Sequence, residues 1–134
     1  MTNREAGERL VREARRIFKR ELQAAWAERD FNLVVRRAQE VVELSLKGAL
    51  RILGVDFPKV HDVAPVFVEQ VRRKRGQISE EILIEIQRIS SWLSEARAPA
   101  FYLERIYGEA DARRALSEAE FILNEIQKAF AIEE

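Results

Sequence analysis

The stretch that decides the fold runs from Phe31 to Gly54 and reads FNLVVRRAQEVVELSLKGALRILG. Its apolar residues recur at intervals of three and four, the spacing that places side chains on one face of an α-helix. Asp30 is a suitable N-cap, and Gly54 supplies the left-handed residue that often follows a helix. The apolar face is wide and comprises Val34, Val35, Ala38, Val41, Val42, Ser45, Leu46, Ala49, Leu50 and Leu53. A helix this apolar is predicted to be central or to lie at an interface.

The polar residues of the same stretch form a narrow stripe along the predicted helix. They are Arg36, Glu40, Glu43, Lys47 and Arg51. Glu43 and Lys47 are four residues apart and can form an ion pair. Two interpretations of Glu40, Glu43 and Lys47 stay open: a solvated stripe held by helical ion pairs, or a polar network that faces a second subunit.

Helical periodicity continues on both sides of this stretch. It predicts further helices over about 4–28, 62–76, 79–99 and 109–131, with Asp62 and Ser79 as caps and residues 98–108 as a loop. Short connections between most helices favour antiparallel neighbours. The sequence therefore predicts an all-α fold, an antiparallel up-and-down bundle of four long helices plus a shorter one, in a single domain over residues 1–134.

Composition excludes several classes of function. The chain has 134 residues, no Cys, one His and a formal net charge of +0. Without Cys it has no disulfide, thiol nucleophile or Cys-ligated zinc, and one His does not supply a His-rich metal site, a di-iron bundle or an HD-type phosphohydrolase. No apolar run approaches the roughly 20 residues of a membrane span. We therefore expect no metal, cofactor or membrane contact, and a cytoplasmic location.

Two local patterns carry a resemblance to a known family. Ala38, Gln39, Val42, Glu43, Leu46 and Lys47 fit an Ala-Gln-x-x-Val-Glu-x-x-Leu-Lys pattern, and Gly54, Pro58, Lys59, His61 and Asp62 fit a Gly-x-x-x-Pro-Lys-x-His-Asp connector. In these residues the chain resembles the HEPN domain family. The segment Ala96-Arg97-Ala98-Pro99 and the alanine-rich last helix also fit, so the resemblance covers most of the chain.

The resemblance implies a helical bundle that commonly dimerises and is often encoded beside a small nucleotidyltransferase. Many members are metal-independent ribonuclease toxins, whose motif is an Arg followed by four to six residues and a His, with both subunits contributing to a shared cleft. This chain lacks that motif. Positions 54–56 before His61 contain no Arg, and Tyr102, Leu103 and Glu104 occupy the histidine positions after Arg97.

The candidate catalytic residues are therefore His61 and Arg97. His61 is the only side chain that ordinarily exchanges a proton near neutral pH, and two copies across a dimer would supply an acid and a base. The alternative is structural, with His61 and Asp62 fixing the entry to the third helix. Ligand binding is a third interpretation.

Two groups of residues are candidates for binding a nucleotide or RNA. The first is the basic run Arg72, Arg73, Lys74 and Arg75, which either meets phosphates or is a solvated helix end. The second combines Arg97 and Arg105 with Tyr102 and Tyr107, where guanidinium groups beside aromatic rings suit a nucleotide. The alternative for this second group is a loop packed over the end of the bundle.

Two functional hypotheses follow. The first is a non-catalytic, homodimeric module that acts with a nucleotidyltransferase in a toxin-antitoxin-like or nucleotide- or RNA-handling system. The second is a divergent metal-independent ribonuclease that uses His61 or Arg97 in a cleft at the dimer interface. For the dimer, we expect the second helix to expose an apolar strip that a partner subunit covers.

Overall fold

Five helices and no strand make up the described part of the chain, residues 1–74 and 77–133, in a computed structural model. Helix α1 consists of an α-helical segment Asn3–Ile17, a π-helical turn Phe18–Leu22 and a second α-helical segment Gln23–Ala27. The others are α2 (Phe31–Ile52), α3 (Ala64–Arg73), α4 (Glu80–Phe101) and α5 (Glu109–Ala129). The prediction of an all-α helical bundle is confirmed. No helix in the described ranges combines the length and apolar character needed to cross a bilayer.

Helix α2 lies at the centre and contacts each of the other four helices. It begins where the sequence predicts, because the Asp30 side chain accepts a hydrogen bond from the Leu33 backbone N–H at 3.3 Å. It ends before Gly54, whose φ of 78° is left-handed. The apolar face is buried, as the exposures of Val34, Val35, Ala38, Val41, Val42, Leu46, Ala49 and Leu50 show.

The expectation that α2 exposes an apolar strip is wrong. None of its large apolar side chains is exposed, and Leu33, Leu44 and Ile52 are partly buried against the core. The physical reason is that α1, α4 and α5 all pack on this helix and cover its wide apolar arc. The helix therefore offers no exposed apolar strip to a partner subunit.

Two glycines allow α1 and α2 to approach closely. A Cβ atom on Gly7 would lie 2.4 Å from the Gly48 carbonyl oxygen, and a Cβ on Gly48 would lie 2.7 Å from the Gly7 carbonyl oxygen. Both distances are far below van der Waals contact, and both neighbours are backbone atoms of a packed helix. The close contact of these helices therefore requires glycine at both positions.

Helix α4 continues through Pro99 to Phe101, so the predicted end of the helix and the predicted loop start at 98 are wrong. Proline removes the backbone donor that would bond to the carbonyl four residues earlier, and the helix continues past it for two residues. The backbone N–H of Tyr102 donates to the Ala98 carbonyl at 2.9 Å, and that of Glu104 donates to the Pro99 carbonyl at 3.0 Å. These bonds close the helix end, and Leu103 follows in the left-handed region with φ of 57°.

The buried side chain of Asn32 fastens the α4–α5 loop to the start of α2. Its Nδ2 donates to the carbonyls of Ala100 at 3.1 Å and Arg105 at 2.8 Å. Its Oδ1 accepts the backbone N–H of Tyr107 at 2.8 Å. The loop is therefore packed over the end of the bundle at a fixed position.

Helix α3 begins one residue later than predicted, with Val63 in the cap position. Asp62 still supports its first turn, because its Oδ1 accepts the Ala64 N–H at 3.3 Å and the Ser90 hydroxyl at 2.7 Å. The helix ends at Arg73. The end predicted near Gly76 lies outside the described residues.

Gly7→Ala is predicted to lower the free energy of unfolding by about 1–3 kcal/mol, the usual cost of overpacking. Helix propensity alone would instead raise stability by about 1 kcal/mol. Chemical denaturation measures the sign directly, and a variant as stable as the parent would contradict the close approach. Gly108→Ser is the control, because that N-cap position has open space and serine is favoured there.

Candidate functional site

His61, Arg97 and Tyr102 line one surface cleft of about 320 Å³. The connector before α3 supplies His61, and the end of α4 supplies most of the remaining wall. The other lining residues are Ser94, Ala98 and Phe101. Ser94, Arg97, Ala98 and Phe101 follow at helical spacing, so they share one face of α4. The structure thus brings both catalytic candidates and one of the nucleotide-binding candidates together in what we call the His61 cleft.

The mostly buried carboxylate of Glu43 contacts the imidazole of His61. The Nδ1 atom of His61 lies 2.8 Å from Oε1 of Glu43. Because an ionised carboxylate only accepts hydrogen bonds, Nδ1 carries the proton of this contact and Nε2 is the nitrogen left for other partners. The His61 side chain is 57% exposed, compared with 17% for Glu43. The contact therefore orients an accessible imidazole on a rigid support.

Glu43 collects two further hydrogen bonds. Gln39 Nε2 donates to Oε1 at 2.8 Å, and Lys47 Nζ donates to Oε2 at 2.7 Å. Burial raises the pKa of the Glu43 carboxyl, but the hydrogen bonds from its three neighbours lower the pKa more, so the net value is below that of an ordinary glutamate. Glu43 is therefore ionised at neutral pH. At this point the polar stripe of α2 forms a hydrogen-bonded network of side chains, in which Glu43 and Lys47 are largely shielded from water.

Arg97 is tied to the same network through Gln39. Its Nη1 atom donates to Gln39 Oε1 at 2.6 Å and lies 3.5 Å from Glu40 Oε2. Gln39 is only 1% exposed. Its oxygen accepts from Arg97 while its nitrogen donates to Glu43, so one buried amide joins the two sides of the cleft.

Gln39 is the site residue that sequence reasoning missed. It appears in the family-like pattern of α2, and no role follows from that pattern alone. The sequence does contain a usable signal, because Gln39 is a long polar side chain next to Ala38 on the apolar face of a helix. Such a side chain requires buried partners. Which partners it has depends on how α4 packs against α2.

The basic run at the end of α3 lies apart from the His61 cleft. Arg72 pairs with Glu80, and hydrogen bonding to this carboxylate raises the pKa of its guanidinium. Arg73 is 4.0 Å from Glu69, and Lys74 Nζ donates to the Leu53 carbonyl at 2.9 Å. Arg75 lies outside the described residues. Arg72 and Lys74 thus contact the ends of neighbouring helices, Arg73 pairs within α3, and none of the three lines the cleft.

Arg105 belongs to a second cleft on another face of α4. This Trp92 cleft is lined by Trp92, Glu95, Ala96, Pro99, Arg105, Tyr107, Asp111 and Arg114. The guanidinium carbon of Arg105 lies 4.7 Å from the centre of the Tyr107 ring. The nucleotide-binding group predicted from Arg97, Tyr102, Arg105 and Tyr107 is therefore divided between two clefts. Arg97 and Tyr102 line the His61 cleft, and Arg105 and Tyr107 line the Trp92 cleft.

An exposed apolar patch borders the His61 cleft. We call Phe101, Tyr102, Leu103 and Ile106 the 101–106 patch, and they are 54%, 70%, 66% and 75% exposed. Phe101 and Tyr102 line the His61 cleft, whereas Leu103 and Ile106 line a separate groove beside Phe31 at the start of α2. The rings of Phe101 and Tyr102 meet edge to face at 4.9 Å between centroids. Leu103 adopts a left-handed conformation that glycine usually takes after a helix. The sequence shows that this segment is apolar and aromatic, but its exposure follows from the Asn32 contacts that fix the loop.

Glu43→Gln is predicted to lower the free energy of unfolding by about 1–2 kcal/mol at pH 7, because hydrogen bonds to a charged acceptor are lost. The folded-state pKa of Glu43 lies below its unfolded value, so its stabilisation is present above the unfolded value of 4.5. That stabilisation disappears as the pH falls through the lower folded-state pKa. Urea denaturation between pH 3 and pH 7 should show the two proteins converging at the acidic end.

Glu120→Gln on the exposed face of α5 is the matched control for this comparison. It removes one carboxylate without touching the network. A pH-independent difference between Glu43→Gln and the parent, or an equal effect of the control, would contradict the assigned role of Glu43.

Comparison with known proteins gives a match to one family model and to no individual protein. No curated protein and no solved structure gives a match. Within the described residues no group of three His, Cys, Asp or Glu side chains is placed to hold a metal ion. The family model described as "HEPN domain" matches residues 5–129, which includes all of α2, the connector and the His61 cleft. The chain therefore belongs to the HEPN domain family.

Proposed function

We propose that this chain is a homodimeric HEPN module that acts with a nucleotidyltransferase and is not itself the catalyst. The system would be toxin-antitoxin-like or would handle nucleotides or RNA. The proposal is supported mainly by the 101–106 patch, an exposed apolar surface held rigidly beside a polar cleft. HEPN proteins commonly dimerise or pair with nucleotidyltransferases.

The conformation of Leu103 supports an interface at this patch. A left-handed backbone costs a leucine about 1–2 kcal/mol. The Leu103 side chain is also exposed, so its packing within one subunit offsets little of this conformational cost. Strain of this kind collects at functional surfaces. A second copy of the chain that covers the patch would bury the Leu103 side chain, and that burial would offset the strain of its backbone.

The chemistry of the His61 cleft supports a binding role over catalysis. The Nδ1 atom of His61 is held by Glu43, and the guanidinium of Arg97 is held by Gln39. Tyr102 occupies a position where the ribonuclease motif has histidine, so that position carries no imidazole. One protomer thus contributes a single imidazole and a fixed cation, which suit holding a ligand.

Leu103→Gly is predicted to stabilise the monomer by about 1 kcal/mol, since glycine adopts the left-handed conformation without a Cβ clash. The same change should weaken the dimer at least tenfold. It removes one leucine side chain from each subunit of the interface, and burial of each is worth about 1.5–3 kcal/mol. Sedimentation equilibrium measures the dimer, and denaturant titration below the dissociation constant measures the monomer.

Ala131→Gly is the matched control, because Ala131 is exposed, has a left-handed φ of 52° after α5 and lies beside Arg4 of α1, away from the patch. It should stabilise the monomer and leave dimerisation unchanged. Equal dimer constants for Leu103→Gly and the parent would refute the interface. Co-expression with a nucleotidyltransferase encoded beside the chain tests the other half of the proposal, and separate elution of the two proteins would count against it.

A metal-independent ribonuclease is the second candidate, and one observation favours it: His61 and Arg97 share one cleft and are joined through Gln39 and Glu43. In such an enzyme Nε2 of His61 would move the proton of the ribose 2′-hydroxyl, and Arg97 would stabilise charge on the phosphate.

End-labelled RNA incubated with the protein in EDTA distinguishes the two candidates. The module proposal predicts intact RNA with the parent protein. The ribonuclease candidate predicts cleavage that both His61→Ala and Arg97→Ala reduce at least a hundredfold, the lower range for loss of a general acid–base group. Cleavage unchanged in both variants would indicate a contaminating nuclease and remove the assignment of these residues.

A further inference from the structure

The Trp92 cleft is used by none of the activities proposed above, and it shares no lining residue with the His61 cleft. Its volume is about 320 Å³, at the lower end of the range of small-molecule sites. Helix α4 supplies half of the lining, α5 supplies Asp111 and Arg114, and the loop between the two helices supplies Arg105 and Tyr107. The dimensions suit one small molecule.

Apolar groups form the base of this cleft. Ala96 and Tyr107 are buried, and Trp92 and Pro99 are partly buried. The indole N–H of Trp92 donates a hydrogen bond to Oε1 of Glu118 at 2.7 Å, so the ring has a fixed orientation. The base can therefore contact the apolar part of a ligand without rearrangement.

Four charged side chains line the cleft, two acidic and two basic, and two of them already have partners in the protein. Oδ2 of Asp111 accepts the backbone N–H of Gly108 at 3.2 Å. Arg114 pairs with Glu118 at 3.2 Å, and its guanidinium carbon lies 4.3 Å from the centre of the Trp92 ring. The capping and stacking contacts of these two side chains explain their positions.

Glu95 and Arg105 are the charges of the cleft that have no partner of opposite sign. Both are exposed, and across residues 1–74 and 77–133 neither forms an ion pair with the other or with any further side chain. The guanidinium of Arg105 packs on the ring of Tyr107, with its carbon 4.7 Å from the ring centre. Its N–H groups are therefore available to an acceptor from outside the protein. The cleft thus contains one unpaired anion and one unpaired cation.

The fold fixes the backbone that carries both charges. Glu95 lies within α4, three residues after Trp92. On the loop, the carbonyl of Arg105 accepts Nδ2 of Asn32 at 2.8 Å, and the N–H of Tyr107 donates to Oδ1 of the same amide at 2.8 Å. A ligand that contacts both charges therefore requires little ordering of the backbone, which favours binding.

This arrangement of charge distinguishes between classes of ligand. A phosphate or another simple anion would lie near the carboxylates of Glu95 and Asp111, and a simple cation would lie near the guanidinium groups of Arg105 and Arg114. Such contacts between like charges are unfavourable. A zwitterion satisfies both unpaired groups at once, and an apolar body attached to it would cover the base of the cleft.

We propose that the Trp92 cleft binds a small zwitterion, namely a free α-amino acid with an apolar side chain. The carboxylate of the ligand accepts hydrogen bonds from Arg105, its ammonium group donates to Glu95, and its side chain lies against Trp92 and Ala96. The site does not depend on the function proposed for the His61 cleft and the 101–106 patch.

Nuclear magnetic resonance of the indole N–H groups tests the proposal, because the chain has two tryptophans and only Trp92 lines the cleft. Trp92→Phe assigns the signal, and Trp26 is the internal control. Leucine and phenylalanine are the probes, added to about 20 mM. We expect a saturable shift of the Trp92 signal with a dissociation constant of about 1 mM, because exposed ion pairs are individually weak. Absence of a saturable shift with both amino acids would overturn the proposal.

Analogues of leucine that lack one or both charges test the zwitterion directly. The compound 4-methylpentanoate lacks the ammonium group, 3-methylbutylamine lacks the carboxylate, and N-acetyl-leucinamide has neither charge. Each should bind at least about threefold to fivefold more weakly than leucine, the effect of one exposed ion pair. Any analogue that binds as tightly as leucine would contradict the assigned class of ligand.

Two single substitutions assign the charges of the ligand to their partners. Glu95→Gln should weaken binding of leucine about threefold to fivefold and should not weaken binding of 4-methylpentanoate. Arg105→Gln should weaken binding of leucine by a similar factor and should not weaken binding of 3-methylbutylamine. The matched controls are Glu120→Gln and Arg9→Gln, at exposed positions outside the cleft, and they should retain the parent affinity. Equal losses in the controls, or parent affinity for leucine in both cleft variants, would refute the site.

Discussion

The buried amide of Gln39 determines how the two sides of the His61 cleft are held. Its oxygen accepts a hydrogen bond from Arg97 of α4, and its nitrogen donates to Glu43, which in turn holds His61 of the connector. An unpaired buried amide would cost about 1–3 kcal/mol, so any displacement of α4 along α2 that broke these contacts is penalised. The register of the two helices and the shape of the cleft are therefore coupled through one side chain.

This arrangement depends on the central position of α2. Four helices surround α2, and the close approach of α1 at Gly7 and Gly48 brings one of them into backbone contact. With its apolar arc covered, α2 contacts the residues of the cleft through the polar side chains of Gln39 and Glu43. The candidate cleft lies at the end of α4, where the Asn32 contacts hold an apolar loop in an exposed position.

Much of the fold was predictable because its signals are local. The caps Asp30 and Ser79 and the left-handed Gly54 lie where the sequence places them, and the periodicity of α2 identifies its buried face. The end of α4 was not predictable, because the bonds that let the helix pass Pro99 come from the following loop. The exposure of α2 was also misjudged, since periodicity gives the width of an apolar face and not the number of helices that cover it.

The residues of the candidate cleft could be named from the sequence, but their grouping in space could not. His61, Arg97 and Tyr102 were identified from residue chemistry and share a cleft, whereas Arg105 lines a different one. Residues only eight positions apart separate in this way because a helix end and a left-handed residue lie between them. Gln39 was not identified as a site residue because its contact with Arg97 depends on how α4 packs against α2.

The state of the Gln39 side-chain amide tests the account most directly. In a nuclear magnetic resonance spectrum, the two Nε2 protons can be assigned by their loss in Gln39→Leu, and their exchange with solvent can be measured at neutral pH. The account predicts slow exchange and nuclear Overhauser contacts from these protons to side chains of the cleft, because the amide is buried and bonded to Glu43. Fast exchange, at the rate of an exposed glutamine, would contradict the proposed network and the fixed geometry of the cleft.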